Sequence, residues 1–170
     1  MERLGGPTSA APAVVAGPIE GEEDRAAPFP LTPIQQAYWV GRQDGPLTGI
    51  ACHFYQEFEG PALDLGRLAA ALDVVVARRD ALRLVLTQDG TQRVLASVPG
   101  YVIATDDLRA LAAEEVALQL ERTRRALAHG ARPVDEWPLF TVRASLLPGG
   151  RTRLHVDFDL LLADSQSLRL

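Results

Sequence analysis

Lysine is absent from this chain, and all 17 of its basic residues are arginine. Together with abundant Ala, Leu, Val and Asp, this reads as a high-GC coding bias and carries no functional message. Cysteine is nearly absent as well. The single Cys52 excludes an internal disulfide and a cysteine-built zinc site, and it reads as a small buried apolar residue rather than a nucleophile. No apolar run approaches the ~18 residues of a membrane-crossing helix. The first residues, with Glu2 and Arg3 ahead of a mildly apolar stretch broken by proline, lack the basic start and unbroken apolar core of a secretory leader. A cytoplasmic protein without a membrane partner is the expectation. Basic clusters are missing too. With a net charge of −5 the chain has no cationic footprint for phosphates, which argues against nucleic acid as a partner.

What is present supports a folded domain. Hydrophobic residues make up 47% of the 170 and charged residues 23%, a balance compatible with a packed core and not with wholesale disorder. Residues 1–27, rich in Ala, Pro and Gly with acidic residues near their end, read as a flexible tail or linker. Residues 28–170 read as one lobe. Thr32 precedes Pro33, and Gln35 follows three residues later, a capping-box helix start with proline at the first helical position. That helix is expected over roughly 33–41 with Ile34, Ala37 and Tyr38 on its inner face. His53 to Phe58 alternate as a strand. Asp64 to Arg79 is amphipathic through Leu65, Leu68, Leu72, Val75 and Val76. Strands over 82–87 and 92–96 are joined by Asp89-Gly90, a hairpin signal. A further helix over 111–129 ends at Gly130, and strands over 139–147 and 151–159 flank Pro148-Gly149-Gly150. After Ala163 another helix is expected to begin. Helices mixed with hairpin-joined strands make the fold class α+β.

The last strand is the most informative. Leu154, Val156 and Phe158 share one face, and Arg153, His155, Asp157 and Asp159 share the other. Beyond it lie the apolar residues Leu160 to Ala163 and then Asp164-Ser165-Gln166-Ser167. A carboxylate just past an apolar loop is desolvated, which raises its pKa toward the range useful for proton transfer. The plainer reading makes Asp164 or Ser165 a helix N-cap. Pattern alone favours the cap.

The stretch Phe29-Pro30-Leu31-Thr32-Pro33-Ile34-Gln35-Gln36-Ala37-Tyr38-Trp39-Val40-Gly41-Arg42 resembles FPLTxxQxAYxxGR, the opening motif of the heterocyclization domains of nonribosomal peptide synthetases, at every specified position. His53 to Phe58 is similar to the strand that follows it there. Arg78-Arg79-Asp80-Ala81-Leu82-Arg83 resembles RHxMLR, with Arg79 for His and Ala81 for Met. Trp137-Pro138-Leu139-Phe140 is similar to a further recurring segment. Asp159 to Ser167 carries the diagnostic pattern DxxxxDxxS, where ordinary condensation domains have HHxxxDG. Asp159 and Leu160 stand in place of the two histidines and Ser165 in place of the glycine, and His155 does not fill the vacancy.

The resemblance implies the N-terminal half of a two-lobed fold like chloramphenicol acetyltransferase, a mixed sheet with flanking helices, cut just after the aspartate motif. It implies donor and acceptor peptidyl carrier proteins as partners, each bringing its substrate on a 4'-phosphopantetheine arm, with no cofactor held by the lobe itself and no metal. It also implies a C-terminal lobe and neighbouring synthetase modules. The implied reaction condenses a carrier-bound acyl thioester with carrier-bound Cys, Ser or Thr and cyclodehydrates the amide to a thiazoline or oxazoline. Asp164 is the expected main catalytic group. Asp159 is expected to pair with an arginine and hold the loop, and Ser167 to cap the following helix or bond to Asp164. Phe29, Tyr38 and Trp39 are expected in the core, and Arg78, Arg79 and Arg83 as solvated charges. The lobe alone is expected to be inactive. A non-catalytic carrier-docking lobe and an ordinary amide-forming condensation domain are the alternatives; a freestanding acyltransferase lacks its histidine.

Overall fold

Thr32 starts the first helix as its sequence requires. Its hydroxyl accepts from the N–H of Gln35, and the Gln35 side chain accepts from the N–H of Thr32, so two otherwise orphaned donors are satisfied reciprocally. The computed structural model describes residues 27–42, 51–130 and 132–162. Its elements run β1 (Phe29–Pro30), α1 (Pro33–Val40), β2 (His53–Pro61), α2 (Leu65–Arg78), a 3-10 turn (Asp80–Arg83), β3 (Leu84–Leu86), β4 (Thr91–Val94), β5 (Ala104–Asp107), α3 (Ala113–His129), β6 (Phe140–Leu147) and β7 (Arg151–Asp159). Among the described residues they form an antiparallel sheet ordered β1-β4-β3 and a mixed sheet ordered β2-β7-β6-β5, in which β5 runs parallel to β6. The α+β architecture follows. No helix of the described residues is long and apolar enough to cross a membrane.

The β6–β7 hairpin turns through Gly149 and Gly150, both at positive φ (75° and 67°), a conformation that glycine adopts without the Cβ penalty of other residues. Register places Phe140 opposite Phe158, and Phe158 opposite Phe54. Phe140 stacks between Tyr101 and Phe158 at centroid distances of 5.1 and 5.5 Å. These rings join Leu31, Val76, Leu84, Leu86, Leu139 and Leu161 in the main core. Asp64 caps α2 by accepting from the N–H of Arg67 at 3.0 Å.

Several expectations need correction. The inner face of α1 carries Gln35, Tyr38 and Trp39, whereas Ile34 is 54% exposed; Gln35 turns inward because it finds hydrogen-bond partners there. Val75 faces solvent, and Val76 is the buried residue of α2. Phe29 lies at the surface, lining an open pocket with Ala27, Pro28, Asp80, Ala81, Leu84 and Val94. Arg83 is not a solvated charge: it donates to the carbonyls of Val76, Ala77 and Leu95 and to Asp80, closing the end of α2. That clasp winds residues 80–83 into a 3-10 turn, so β3 starts two residues later than the pattern suggests. Cys52 is half-buried. Gly130 follows α3 with φ −75°, so positive φ does not explain it; an added Cβ would sit 2.7 Å from the Ala126 carbonyl oxygen.

β2 is the outer strand of its sheet. Its polar residues His53, Tyr55 and Glu57 turn inward under α3, and Phe54 and Phe58 remain 37% and 50% exposed. The same inversion holds in β7, where His155, Asp157 and Asp159 are buried.

Candidate functional site

The alternation of β7 delivers three titratable side chains to one covered face, and burial obliges each to find a partner. Asp159, the last residue of β7, is 1% exposed. One carboxylate oxygen meets the Arg42 guanidinium, and the other accepts from the N–H of Leu161 at 3.0 Å. The N–H of Leu162 bonds to the Asp159 carbonyl at 3.0 Å. Asp159 therefore shapes the turn that leaves the strand. Asp164 and Ser167, the other two candidate site residues, lie outside the described residues.

The opening motif grips the same turn a second time. The amide nitrogen of Gln35 donates to the carbonyl of Leu161 at 2.7 Å, while Gln35 and Gln92 bond reciprocally through their side-chain amides. Gln92, 2% exposed, also donates to the carbonyl of Pro30 at 3.0 Å. Thus Gln35 and Arg42, both specified positions of the opening motif, hold Leu161 and Asp159. The Leu160 N–H bonds to the carbonyl of Cys52 at 3.0 Å. Arg42 Nε, by contrast, is buried and has no hydrogen-bond partner among the described residues.

A second charged group adjoins the first. Asp157, also 1% exposed, is held between His53 Nδ1 and the Arg132 guanidinium. Arg132 donates further to the Leu139 carbonyl at 3.1 Å and to the Thr141 hydroxyl at 3.0 Å. Its own carbonyl accepts from Arg42 at 3.5 Å, linking the two groups. The ring of His53 reaches the Ala128 carbonyl, in the last turn of α3, through Nε2 at 2.9 Å.

Farther along the sheet, Ser145 Oγ lies 3.0 Å from His155 Nε2, and His155 Nδ1 lies 2.8 Å from the Tyr55 hydroxyl. Tyr55 donates to Glu57 at 2.8 Å, and Glu57 accepts from Arg124 and Arg153. This serine–histidine pair is not a nucleophile with its base, because both residues are fully buried. Burial lowers His155 below the ordinary histidine value against the opposing pull of Glu57, so its neutral form is favoured. Burial, reinforced by the bond to Glu57, pushes Tyr55 up and keeps it a neutral donor. Burial works to raise Glu57, but the bonds from Arg124 and Tyr55 outweigh it and hold the carboxyl below its ordinary value.

Sequence alternation put Arg153, His155, Asp157 and Asp159 on one face. It gave no role to His53, Arg132 or Arg42. Only the opening motif singled out Arg42, and nothing local to Arg132 betrays a partner 25 residues away.

No family model matches the chain. Curated relatives do. Phenyloxazoline synthase MbtB of Mycobacterium tuberculosis is 41% identical over 167 residues, 96% of this chain and 12% of the relative. Its counterpart in Mycolicibacterium paratuberculosis is 41% identical over 95% of this chain and 14% of its own length. Pyochelin synthetase PchE of Pseudomonas aeruginosa is 38% identical over 161 residues, 94% of this chain and 11% of the relative. The chain thus spans about one seventh or less of the curated relatives it matches. Among solved structures, the cyclization-docking bidomain of the synthetase EpoB from Sorangium cellulosum is 34% identical with a TM-score of 0.78, over 84% of this chain and 28% of that one. The nonribosomal peptide synthetase FmoA3 is 36% identical with a TM-score of 0.71, over 92% and 15%. The starter condensation domain of rhizomide synthetase, 22% identical with a TM-score of 0.67, shares the fold.

Proposed function

This chain belongs to the condensation and heterocyclization domains of the nonribosomal peptide synthetases, and from that premise we propose that it forms one side of a site that makes thiazoline or oxazoline rings. The donor is an acyl or peptidyl thioester and the acceptor a cysteinyl, seryl or threonyl thioester. Each arrives on a carrier protein's phosphopantetheine arm, in the cytoplasm, and the remainder of the domain and neighbouring modules complete the assembly. The acceptor amine attacks the donor carbonyl and expels the donor carrier's thiol, forming an amide. The acceptor's side-chain thiol or hydroxyl then adds to that amide carbonyl, and loss of water with removal of the N–H proton gives the C=N of the ring.

Amide formation between two tethered substrates draws chiefly on positioning. The dehydration needs a proton for the departing hydroxide and a base for the N–H proton, and one carboxyl group can serve as acid and base in turn. We assign that work to Asp164. Asp159 serves it from behind: neutralised by Arg42, it holds the turn from which residue 164 follows.

The observation that carries the reading is the double grip of Gln35 and Arg42 on Leu161 and Asp159. It joins the two stretches by which this family is recognised into one structural unit. Asp164→Asn tests it, in the whole polypeptide encoded by the reading frame that carries this chain, supplied with loaded carriers. Products released from the carrier are followed by mass. Ring formation should fall about 10²–10⁴-fold, with the uncyclised amide accumulating. Ring formation at the unaltered rate would remove Asp164 from the chemistry.

A further inference from the structure

We infer that Gln92 is a positioning residue for the turn that follows β7: from the middle strand of the three-stranded sheet it fixes the Gln35 amide that holds the Leu161 carbonyl. Gln92 is 2% exposed, pointing inward from β4 where the next residue, Arg93, points out. Its neighbours across the sheet are Phe29 on β1 and Leu86 on β3. An apolar side chain would fill such a place with no polar group to satisfy, so a buried amide there calls for a physical reason. The turn after β7 supplies one.

The two amides interlock. Gln35 Nε2 donates to the Leu161 carbonyl at 2.7 Å and to Gln92 Oε1 at 2.9 Å. Gln35 Oε1 accepts from the Thr32 N–H at 2.9 Å and from Gln92 Nε2 at 3.0 Å. Gln92 Nε2 donates again, to the Pro30 carbonyl at 3.0 Å. The hydrogen-bonding capacity of the Gln35 amide is thereby used in full. Backbone groups fix the direction of each bond. The Thr32 N–H can only donate, so it requires the oxygen of Gln35. The carbonyls of Leu161 and Pro30 can only accept, so they require the nitrogens of Gln35 and Gln92. Reversing either amide sets like atoms against each other at both of its ends. A single arrangement satisfies every bond, and Gln92 is the group that locks it.

Gln35 projects from the half-buried face of α1, and its long side chain is free to leave Leu161 unless its amide is held. Thr32 holds the oxygen. Gln92 holds both oxygen and nitrogen, from a buried strand that is itself tied to β1 through Pro30. Without the Gln92 amide, the turn is left to the grip of Arg42 on Asp159 and the bond of Leu160 to Cys52. This role in the fold stands whatever reaction the site serves; its weight for ring formation rests on the function proposed above.

The test compares the whole polypeptide encoded by the reading frame that carries this chain with its Gln92→Met variant. Hydrogen exchange is followed by mass on peptides that span Leu160, Leu161 and Leu162, whose amides are all bonded within or beside the turn. Exchange there should quicken about tenfold, the effect of losing buried hydrogen bonds, while α3 keeps its protection. Unchanged exchange in the turn, or an equal rise in α3, would overturn the inference. With loaded carriers, kcat for ring formation should fall about tenfold while KM for the acceptor-loaded carrier stays within about twofold. A rise in KM with kcat intact would sink the positioning role. Because Gln92 acts through Gln35, the double variant with Gln35→Met should be no slower than the slower single one, and losses that multiply would refute the link. A wild type that yields only the uncyclised amide would defeat the proposed function, and the exchange result would still decide the role of Gln92. If Gln92→Met does not fold, Gln92→Glu keeps the shape without the amide's donors, and Gln35→Met reads the same link from the half-buried side: unchanged exchange in either would overturn the inference.

Discussion

Replacing Arg42 with methionine removes the charge that neutralises Asp159 and keeps much of the apolar stem. The two side chains are 11% and 2% exposed, so little water can enter to solvate the abandoned carboxylate. Breaking a buried ion pair from one side costs about 3–5 kcal/mol, because the other charge stays buried. Part of this is offset. Arg42 Nε is a buried donor without a partner among the described residues, and its removal relieves a penalty of about 1–3 kcal/mol. The net expectation is about 2 kcal/mol, a sizeable part of the ~5–15 kcal/mol that holds a domain folded. With a urea m-value of about 2 kcal/mol per molar, the unfolding midpoint should fall by about 1 M. Asp159→Asn in the same background should recover part of the loss, since asparagine carries no charge and can still accept the Leu161 N–H. The assay is urea unfolding of wild type, both single variants and the double variant, followed by circular dichroism. A midpoint shift below about 0.5 M for Arg42→Met, or strict additivity of the two changes, would refute the argument that charge burial governs this corner.

Three further outcomes follow from the buried polar face. Because burial holds His155 below its ordinary value of 6.5, the unfolded chain binds the proton more readily; stability is full above that value and is lost as pH falls toward the depressed native one. His155→Gln should flatten the dependence of unfolding free energy on pH between neutral and mildly acid conditions, and an unchanged slope would count against it. Glu57 is held below its ordinary value of 4.5, so its contribution is present above that value and disappears as pH falls through the native one. Arg124→Gln should move acid unfolding to higher pH, by a small amount because Arg124 is 42% exposed and solvent screens it; an acid midpoint unchanged or lower would contradict this. Gly130→Ala should destabilise the chain by about 1–3 kcal/mol, since the new methyl meets the backbone carbonyl of Ala126 at 2.7 Å and the last turn of α3 must shift. Thermal unfolding would show it, and a neutral result would mean that the turn gives way freely.

The start of α1, the β6–β7 hairpin and the polar face of β7 were legible because each is written locally, in a capping box, a glycine pair and an alternation. β5 was not. Ala104-Thr105-Asp106-Asp107 has no strand pattern of its own and is a strand because it pairs with β6 and because Arg143 holds Asp106. β1 is two residues long and exists through β4. The inner face of α1 was misjudged because hydrophobicity favours Ile34, whereas hydrogen bonding to Gln92 and Leu161 draws Gln35 inward. At the site, Asp159 was legible as a carboxylate requiring an arginine. The identity of that arginine was not, since Arg42 is 117 residues away in the chain. Asp164 and Ser167 were legible only through the pattern that begins at Asp159.

The outer position of β2 bears on how this polypeptide behaves in concentrated solution. Among the described residues β2 has a strand partner on one side only, so alternate donors and acceptors along its nine residues line one rim of the mixed sheet, beside the half-exposed rings of Phe54 and Phe58. Such a rim is a template for strand addition and, between identical molecules, for aggregation. Natural edges are blunted by charge, and here the charges of Glu57 and Glu59 sit on the opposite face, tied up with Arg124, Arg151 and Arg153. Among the residues of β2 the phenylalanine side carries Gln56 and no charged group, so self-association of the chain should begin there.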